Sequence, residues 1–141
     1  MKIKIIYHSR TGNTKKVAEA ISEAINVIAE PIPEKGLDEP VDLLFIGNGI
    51  YMGKADMTIE NFIKTLNRDM VKNAAVFGTF GGQNKAIEMM KELLEKQGIH
   101  VMDESFGCRG KAWLVLNRQH PDLQDLNNAK EFAKFVIGKI K

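Results

Sequence analysis

The sequence predicts an α/β fold in which a five-stranded parallel sheet is covered by helices on both faces, as a three-layer sandwich. Short β-prone apolar runs alternate with amphipathic helical segments along the chain, which is typical of a parallel sheet with crossover helices. The third strand, at residues 41–46, is continuously apolar, as expected for a strand covered on both faces. Right-handed crossovers leave few topologies, and five strands in one small domain favour the order 2-1-3-4-5.

The N-terminal half contributes three strands and two helices. In chain order they are a strand at 3–7, a helix at 17–25, a strand at 27–29, a strand at 41–46 and a helix at 59–67. Apolar residues recur at helical spacing in the helices and form β-prone runs in the strands. Glycines 47, 49 and 53 predict a long loop after the third strand.

The C-terminal half contributes two strands and two helices. In chain order they are a strand that begins at 74–77, a helix at 86–96, a strand at 100–106 and a helix at 126–140. Gly98 suits the position just after a helix end. Residues 107–121 have the pattern of neither a strand nor a loop.

Length and composition indicate a single globular domain spanning residues 1–141. Hydrophobic residues make up 44% and charged residues 27%, which excludes a disordered chain, a collagen-like chain and a disulfide scaffold. The net charge of +2 is too small for a dedicated nucleic-acid binder. Cys108 stands alone, and no apolar run approaches the ~18 residues that span a bilayer. We therefore expect a cytoplasmic protein that binds neither nucleic acid nor membrane.

Three loops are expected to meet at the carboxyl edge of this sheet, at residues 9–14, 47–55 and 79–84. Ligands of such sheets bind beyond the carboxyl ends of the strands, at the point where the strand order reverses. The first loop leads straight into a helix, whose free N–H groups and dipole attract phosphate. Its hydroxyls add donors, and residues 1–16 contain five bases and no acid. A plain helix N-cap explains the same local composition equally well.

Other nucleotide and metal motifs are missing. The two Gly-Lys pairs lack the remaining residues of a Walker loop, and G-x-G-x-x-G does not follow the first strand. The three histidines do not have metal-ligand spacing, and nothing near Cys108 completes a catalytic Cys-His pair. We therefore predict neither a metal site nor a catalytic side chain.

Three motifs in combination make the chain resemble flavodoxins. Residues 9–14, S-R-T-G-N-T, resemble the FMN phosphate loop of that family. Residues 49–53, G-I-Y-M-G, resemble the loop that touches the flavin after the third strand, and residues 77–82, F-G-T-F-G-G, resemble the segment after the fourth. The likeness covers essentially the whole chain, so it implies a flavodoxin-like fold and noncovalently bound FMN.

The resemblance also implies which residues bind FMN. They are Ser9, Arg10, Thr11, Gly12, Asn13 and Thr14 at the phosphate, and Gly49, Ile50, Tyr51, Met52, Gly53, Thr79, Phe80, Gly81 and Gly82 around the isoalloxazine. Tyr51 and Phe80 are candidates for stacking on the ring, although ordinary packing explains them too. Thr79, Gly81 and Gly82 would approach the pyrimidine edge through backbone donors.

Two features depart from the family pattern. Gly82 stands where many flavodoxins have an aromatic residue, so one face of the ring is open or is covered by another segment, with residues 107–121 and their Trp113 as the candidate. Flavodoxins are strongly acidic, whereas this chain carries a net +2, with ten acids against four bases only between Glu19 and Asp69. Fewer negative charges around a reduced flavin should raise its potential.

The resemblance implies an electron carrier that docks onto redox partner proteins, as a monomer or weak dimer. An FMN-dependent oxidoreductase with its own substrate, of the quinone or porphyrinogen type, is the alternative. A domain that has kept only the fold is a third interpretation, and the intact phosphate loop argues against it.

Overall fold

The computed structural model describes residues 1–9, 12–51, 54–55, 57–80, 85–109 and 122–140. The strands are β1 (Ile3–His8), β2 (Ala29–Pro31), β3 (Val41–Tyr51), β4 (Lys54–Ala55), β5 (Val71–Phe80) and β6 (His100–Arg109). The helices are α1 (Asn13–Ile25), α2 (Met57–Ile63), α3 (Lys85–Lys96) and α4 (Leu123–Ile140). Within the described residues, no helix combines the length and the apolar character needed to cross a membrane.

The sheet has the predicted strand order. Strands β2, β1, β3, β5 and β6 lie side by side in that order and pair in parallel, which is the order 2-1-3-4-5 of the five main strands. The two-residue β4 pairs antiparallel with the end of β3 and lies off this path. The sequence predicts no strand there, because two residues are too few to show a periodicity.

An apolar core lies on each face of the sheet. Helices α2 and α3 pack on one face, here the α2/α3 face, against residues such as Ile46 and Val76. Helices α1 and α4 pack on the other, the α1/α4 face, against residues such as Phe45 and Phe77. Neighbouring residues of one strand thus belong to different cores, as the two-residue period of a β-strand requires. The structure confirms the predicted three layers.

Strands β3 and β5 are longer than the sequence predicts. The glycine pattern predicts a loop at Gly49, Ile50 and Tyr51, but these residues belong to β3, and Thr79 and Phe80 belong to β5. The two strands stay paired to their ends, with Gly49 opposite Thr79. Glycine normally weakens a strand. At Gly47, however, an added Cβ would lie 2.1 Å from Cε2 of the Phe77 ring, so the ring already fills the space that a side chain would take.

Several element ends differ from the prediction by a few residues. Strand β2 begins at Ala29 instead of residue 27, and β6 continues to Arg109 instead of ending at residue 106. Helix α2 ends at Ile63 because the chain tightens there into i→i+3 turns, with Leu66 N donating to Ile63 O at 3.0 Å. Helix α4 begins three residues early, at Leu123.

The earlier start of α4 has a local cause. Asp122 N donates to Asp125 Oδ2, and Asp125 N donates to Asp122 Oδ1, both at 2.9 Å. This reciprocal pair is the geometry of a capping box, which satisfies two N–H groups that the first turn of a helix cannot bond internally.

Candidate functional site

The carboxyl ends of β1, β3 and β5 bring three predicted segments to one edge of the sheet. His8, the last residue of β1, pairs with Asn48, and Asn48 pairs with Gly78, so the ends of the three strands are neighbours, with β3 and β5 continuing to Tyr51 and Phe80. The predicted site residues with a described backbone at this edge are Ser9, Gly12, Asn13, Thr14, Gly49, Ile50, Tyr51, Thr79 and Phe80. Arg10, Thr11, Met52, Gly53, Gly81 and Gly82 lie outside the described residues.

Two predictions about the flavin ring stay predictions. The stacking of Tyr51 and Phe80 concerns side chains that lie outside the described part of the structure. Residues 110–121, which include Trp113, lie outside it as well, whereas Gly107 and the backbones of Cys108 and Arg109 are part of β6.

Helix α1 begins with an open N-terminus. Its N-cap, Gly12, has φ 89°, no side chain of the described residues caps the helix, and the first turn contains no acid. Ser9 Oγ accepts a hydrogen bond of 3.0 Å from Gly12 N, and the helical ladder starts where Lys16 N donates to Gly12 O at 3.1 Å. The N–H groups of the first turn therefore lack helical acceptors, and together with the helix dipole they favour an anion.

Space beside the first turn is available for a ligand. A Cβ built on Gly12 meets no atom of the described residues within 4 Å, so open space adjoins Gly12 at the start of α1. Its positive φ is a conformation that glycine adopts without strain. An oxyanion such as a phosphate could therefore approach this backbone closely.

A buried hydroxyl pair ties α1 to the end of β5. Thr14 Oγ1 and Thr79 Oγ1 are 2.8 Å apart, and the two residues are 0% and 4% exposed. The sequence predicts a phosphate contact for the Thr14 hydroxyl and a flavin contact for the Thr79 backbone, but no contact between them. They are 65 positions apart, so no local pattern could reveal the pair.

Asn48 is a polar residue at this edge that the sequence assigns to a loop and gives no role. It lies in β3 between His8 and Gly78 and is completely buried, and neither Oδ1 nor Nδ2 has a hydrogen-bond partner among the described residues. A Cβ on Gly78 would lie 2.7 Å from Asn48 O, so glycine at that position permits the close pairing. An unpaired buried amide costs about 1–3 kcal/mol, and such groups often mark functional sites. The one available signal was a polar residue directly after the apolar run of β3.

The local charge is less positive than the sequence indicates. Lys2 and Lys4 lie at the amino end of β1, where they pair with Glu39 and Glu30, and the Lys4–Glu30 distance is 2.9 Å. The hydrogen bond to Glu30 raises the pKa of Lys4 above its ordinary value. These acids come from later in the chain, so the absence of acids in residues 1–16 overstates the positive potential at the loop.

The chain is similar to known proteins over most of its length. The family model of the flavodoxin domain matches residues 4–117. An uncharacterised protein of Methanocaldococcus jannaschii is 33% identical, over 97% of this chain and 99% of its own length. A solved flavodoxin from Archaea matches with a TM-score of 0.80 at 23% identity, over 99% of each chain. The rubredoxin oxygen:oxidoreductase of Desulfovibrio gigas matches with a TM-score of 0.77 at 15% identity, over 99% of this chain and 36% of its own.

Proposed function

The chain belongs to the flavodoxin-domain family, and from that membership we propose that it binds FMN noncovalently and transfers electrons between redox proteins. When bound, FMN supplies one- and two-electron transfer, whereas the protein supplies placement and electrostatics. We also propose that the protein acts in the cytoplasm, because its single Cys108 cannot form an intrachain disulfide.

The observation that carries this proposal is the open start of α1 at the carboxyl edge. Among the described residues the first turn has no capping side chain and no acid, and open space adjoins Gly12. A phosphate acts mainly as a hydrogen-bond acceptor and carries negative charge, so it complements both the N–H groups that lack helical acceptors and the helix dipole. Residues 9–14 would therefore hold the FMN phosphate.

The ends of β3 and β5 would flank the rest of the cofactor. In the sheet, Gly49 pairs with Thr79 and Ile50 pairs with Phe80, so the residues after both strands start from adjacent points. The predicted ring contacts at 49–53 and 79–82 come from these two strand ends. Asn48 directly precedes Gly49 in β3, and within the described part of the structure its side-chain donor and acceptor are both unpaired, so it suits a ligand that both donates and accepts hydrogen bonds, as ribityl hydroxyls do.

The fold occurs both alone and inside larger redox enzymes. It matches the archaeal flavodoxin over its whole length and about a third of the Desulfovibrio gigas oxidoreductase. Both settings support a domain that hands electrons to another redox centre. We therefore favour a carrier that docks on partner proteins over an oxidoreductase that turns over a quinone or porphyrinogen by itself.

The first experiment is the absorption spectrum of the purified protein, followed by heat release and chromatographic identification of the chromophore. We expect a yellow protein that releases FMN, and an apoprotein that binds FMN in a fluorescence titration. Changing Thr11 or Thr14 to Ala should weaken FMN binding. The matched control is Thr65→Ala, whose hydroxyl donates to Phe62 O just beyond α2. A colourless protein with no measurable FMN affinity would overturn the proposal.

A second experiment separates the carrier from the enzyme. The reduced holoprotein is mixed with cytochrome c as a protein acceptor, and separately with a soluble quinone plus NADH or NADPH. A carrier passes electrons rapidly to cytochrome c and shows no sustained turnover of the nicotinamide and quinone mixture. Sustained turnover by the protein alone would support the oxidoreductase instead.

A further inference from the structure

The contact between Thr14 and Thr79 implies a role for a hydroxyl outside the phosphate loop. The two oxygens are 2.8 Å apart in a buried environment, where Thr79 is 4% exposed. Each threonine hydroxyl has one proton to donate and two lone pairs to accept with. Across this contact one hydroxyl therefore donates, and the other keeps its proton for a different acceptor.

A bound phosphate would determine which hydroxyl donates. Phosphate oxygens at neutral pH act mainly as acceptors, so Thr14 can contact a phosphate at the start of α1 only by giving its proton to it. The bond between the two threonines must then run from Thr79 to Thr14 Oγ1. The opposite direction would turn the lone pairs of Thr14 toward the anion, which is electrostatically unfavourable.

We propose that Thr79 is a positioning residue for phosphate recognition, in that its hydroxyl donates to Thr14 Oγ1 and directs the Thr14 proton toward the phosphate. The inference rests on the proposed binding of FMN and adds a specific role in it. Successive hydrogen bonds polarise one another in a buried environment, so the donor behind Thr14 also strengthens its bond to the anion. Thr79 thus favours flavins that carry a phosphate.

The experiment compares two flavins that differ by that phosphate. Dissociation constants of the apoprotein for FMN and riboflavin are measured by fluorescence quenching in wild type, Thr79→Val and Thr79→Ser. Valine has the shape of threonine without its hydroxyl, so we expect it to weaken FMN binding about tenfold, as for loss of one hydrogen bond to a charged ligand network. Riboflavin affinity should stay within about twofold, and Thr79→Ser should keep the preference for FMN because it keeps the donor.

A double-mutant cycle tests whether Thr79 acts through Thr14. In a Thr14→Val background, Thr79→Val should cause no further loss of FMN affinity, because the hydroxyl it would direct is gone. Thr65→Val is the matched control, since it removes a partly buried threonine hydrogen bond of 2.7 Å to Phe62 O, away from this edge. It should leave the ratio of the two affinities unchanged.

Each other outcome has a definite meaning. Equal weakening of FMN and riboflavin in Thr79→Val, or no weakening of FMN, would overturn the positioning role and leave the proposed function standing. A wild-type protein that binds neither flavin would overturn both proposals. If Thr79→Val does not fold, Thr79→Ala removes the hydroxyl with less steric demand, and the same change in the affinity ratio is expected.

Discussion

Helices α1 and α4 pack on the same face of the sheet but begin in opposite ways. At α4, Asp122 and Asp125 exchange backbone hydrogen bonds of 2.9 Å with each other's carboxylates. At α1, Gly12 provides no side chain, and the first turn has no acid. One helix start is closed by the protein's own negative charges, and the other is open.

The difference indicates where an external anion belongs. An acid in the first turn stabilises a helix by about 0.3–1 kcal/mol, and a capping side chain by about 1 kcal/mol. The start of α1 lacks both contributions, because its N-cap Gly12 has no side chain and its first turn contains no acid. A negatively charged ligand bound at this helix start would supply both contributions. No carboxylate of the first turn would repel it.

The largest expected effect comes from making α1 resemble α4. Asn13→Asp puts a carboxylate into the first turn of α1, beside the proposed phosphate. Two like charges about 4 Å apart repel by about 4 kcal/mol at an effective dielectric constant of about 20. We expect FMN affinity to fall at least about 100-fold, with riboflavin affinity much less affected, in fluorescence titrations of the apoprotein. Asp125→Asn, the reverse exchange at α4, should leave FMN affinity unchanged, and an unchanged affinity in Asn13→Asp would place the phosphate elsewhere.

A smaller effect is expected from the backbone conformation that opens α1. Gly12 has φ 89°, and no described residue lies within 4 Å of an added Cβ, so Gly12→Ala is opposed by backbone strain, at about 1–2 kcal/mol. Gly138 in α4 also has nothing within 4 Å, but it does not have a positive φ, and Gly138→Ala should stabilise the apoprotein by about 0.5 kcal/mol. Urea unfolding should therefore show shifts of opposite sign. The same sign in both variants would refute this explanation of Gly12.

Opening the closed helix is expected to cost about as much as a typical cap. Asp122→Ala removes the acceptor of Asp125 N, and we expect the free energy of unfolding of the apoprotein to fall by about 1 kcal/mol. FMN affinity should not change, because the proposed phosphate lies at the start of α1 and not at this helix. A combined loss of FMN binding and stability would show that the two helix starts are coupled.

The sequence predicts the sheet well because its main signal is local. The alternation of strand and helix patterns and the continuous apolar run of β3 predict helices on both faces, and the rules for connections in parallel sheets then favour the observed strand order. The prediction of a loop at Gly47 and Gly49 is wrong because it treats glycine as a residue that ends a strand. The reason that Gly47 suits a strand is the ring of Phe77, which lies in another strand and is not visible in a local pattern.

The candidate site also combines features that a local motif predicts with features that depend on contacts between distant segments. The phosphate loop is a contiguous motif, so it can be recognised from sequence. The Thr14–Thr79 bond and the ion pairs of Lys2 and Lys4 join distant segments, and only the fold reveals them. The cap of α4 can be predicted from the sequence, since acids at positions 122 and 125 have the spacing of a capping box.

The smallest expected effect concerns how α4 ends. Lys139 in its last turn donates to both oxygens of Glu104 in β6, at 3.1 and 2.9 Å, whereas the last turn of α1 has no base. The hydrogen bond with Lys139 lowers the pKa of Glu104, and the same bond raises the pKa of Lys139. Lys139 is exposed to solvent and Glu104 is partly exposed, so the pair stabilises the fold only slightly.

The two pKa shifts define the pH range in which this pair contributes. The Glu104 contribution is present above the unfolded-state pKa of glutamate and is lost as pH falls through the lower folded-state value. The Lys139 contribution is present below the unfolded-state pKa of lysine and is lost as pH rises through the higher folded-state value. Urea midpoints of wild type and Glu104→Gln should therefore differ slightly near pH 7 and converge in acid and at high pH. A difference that persists in acid would show that the substitution disturbs packing, and one that survives high salt would exclude an ionic cause.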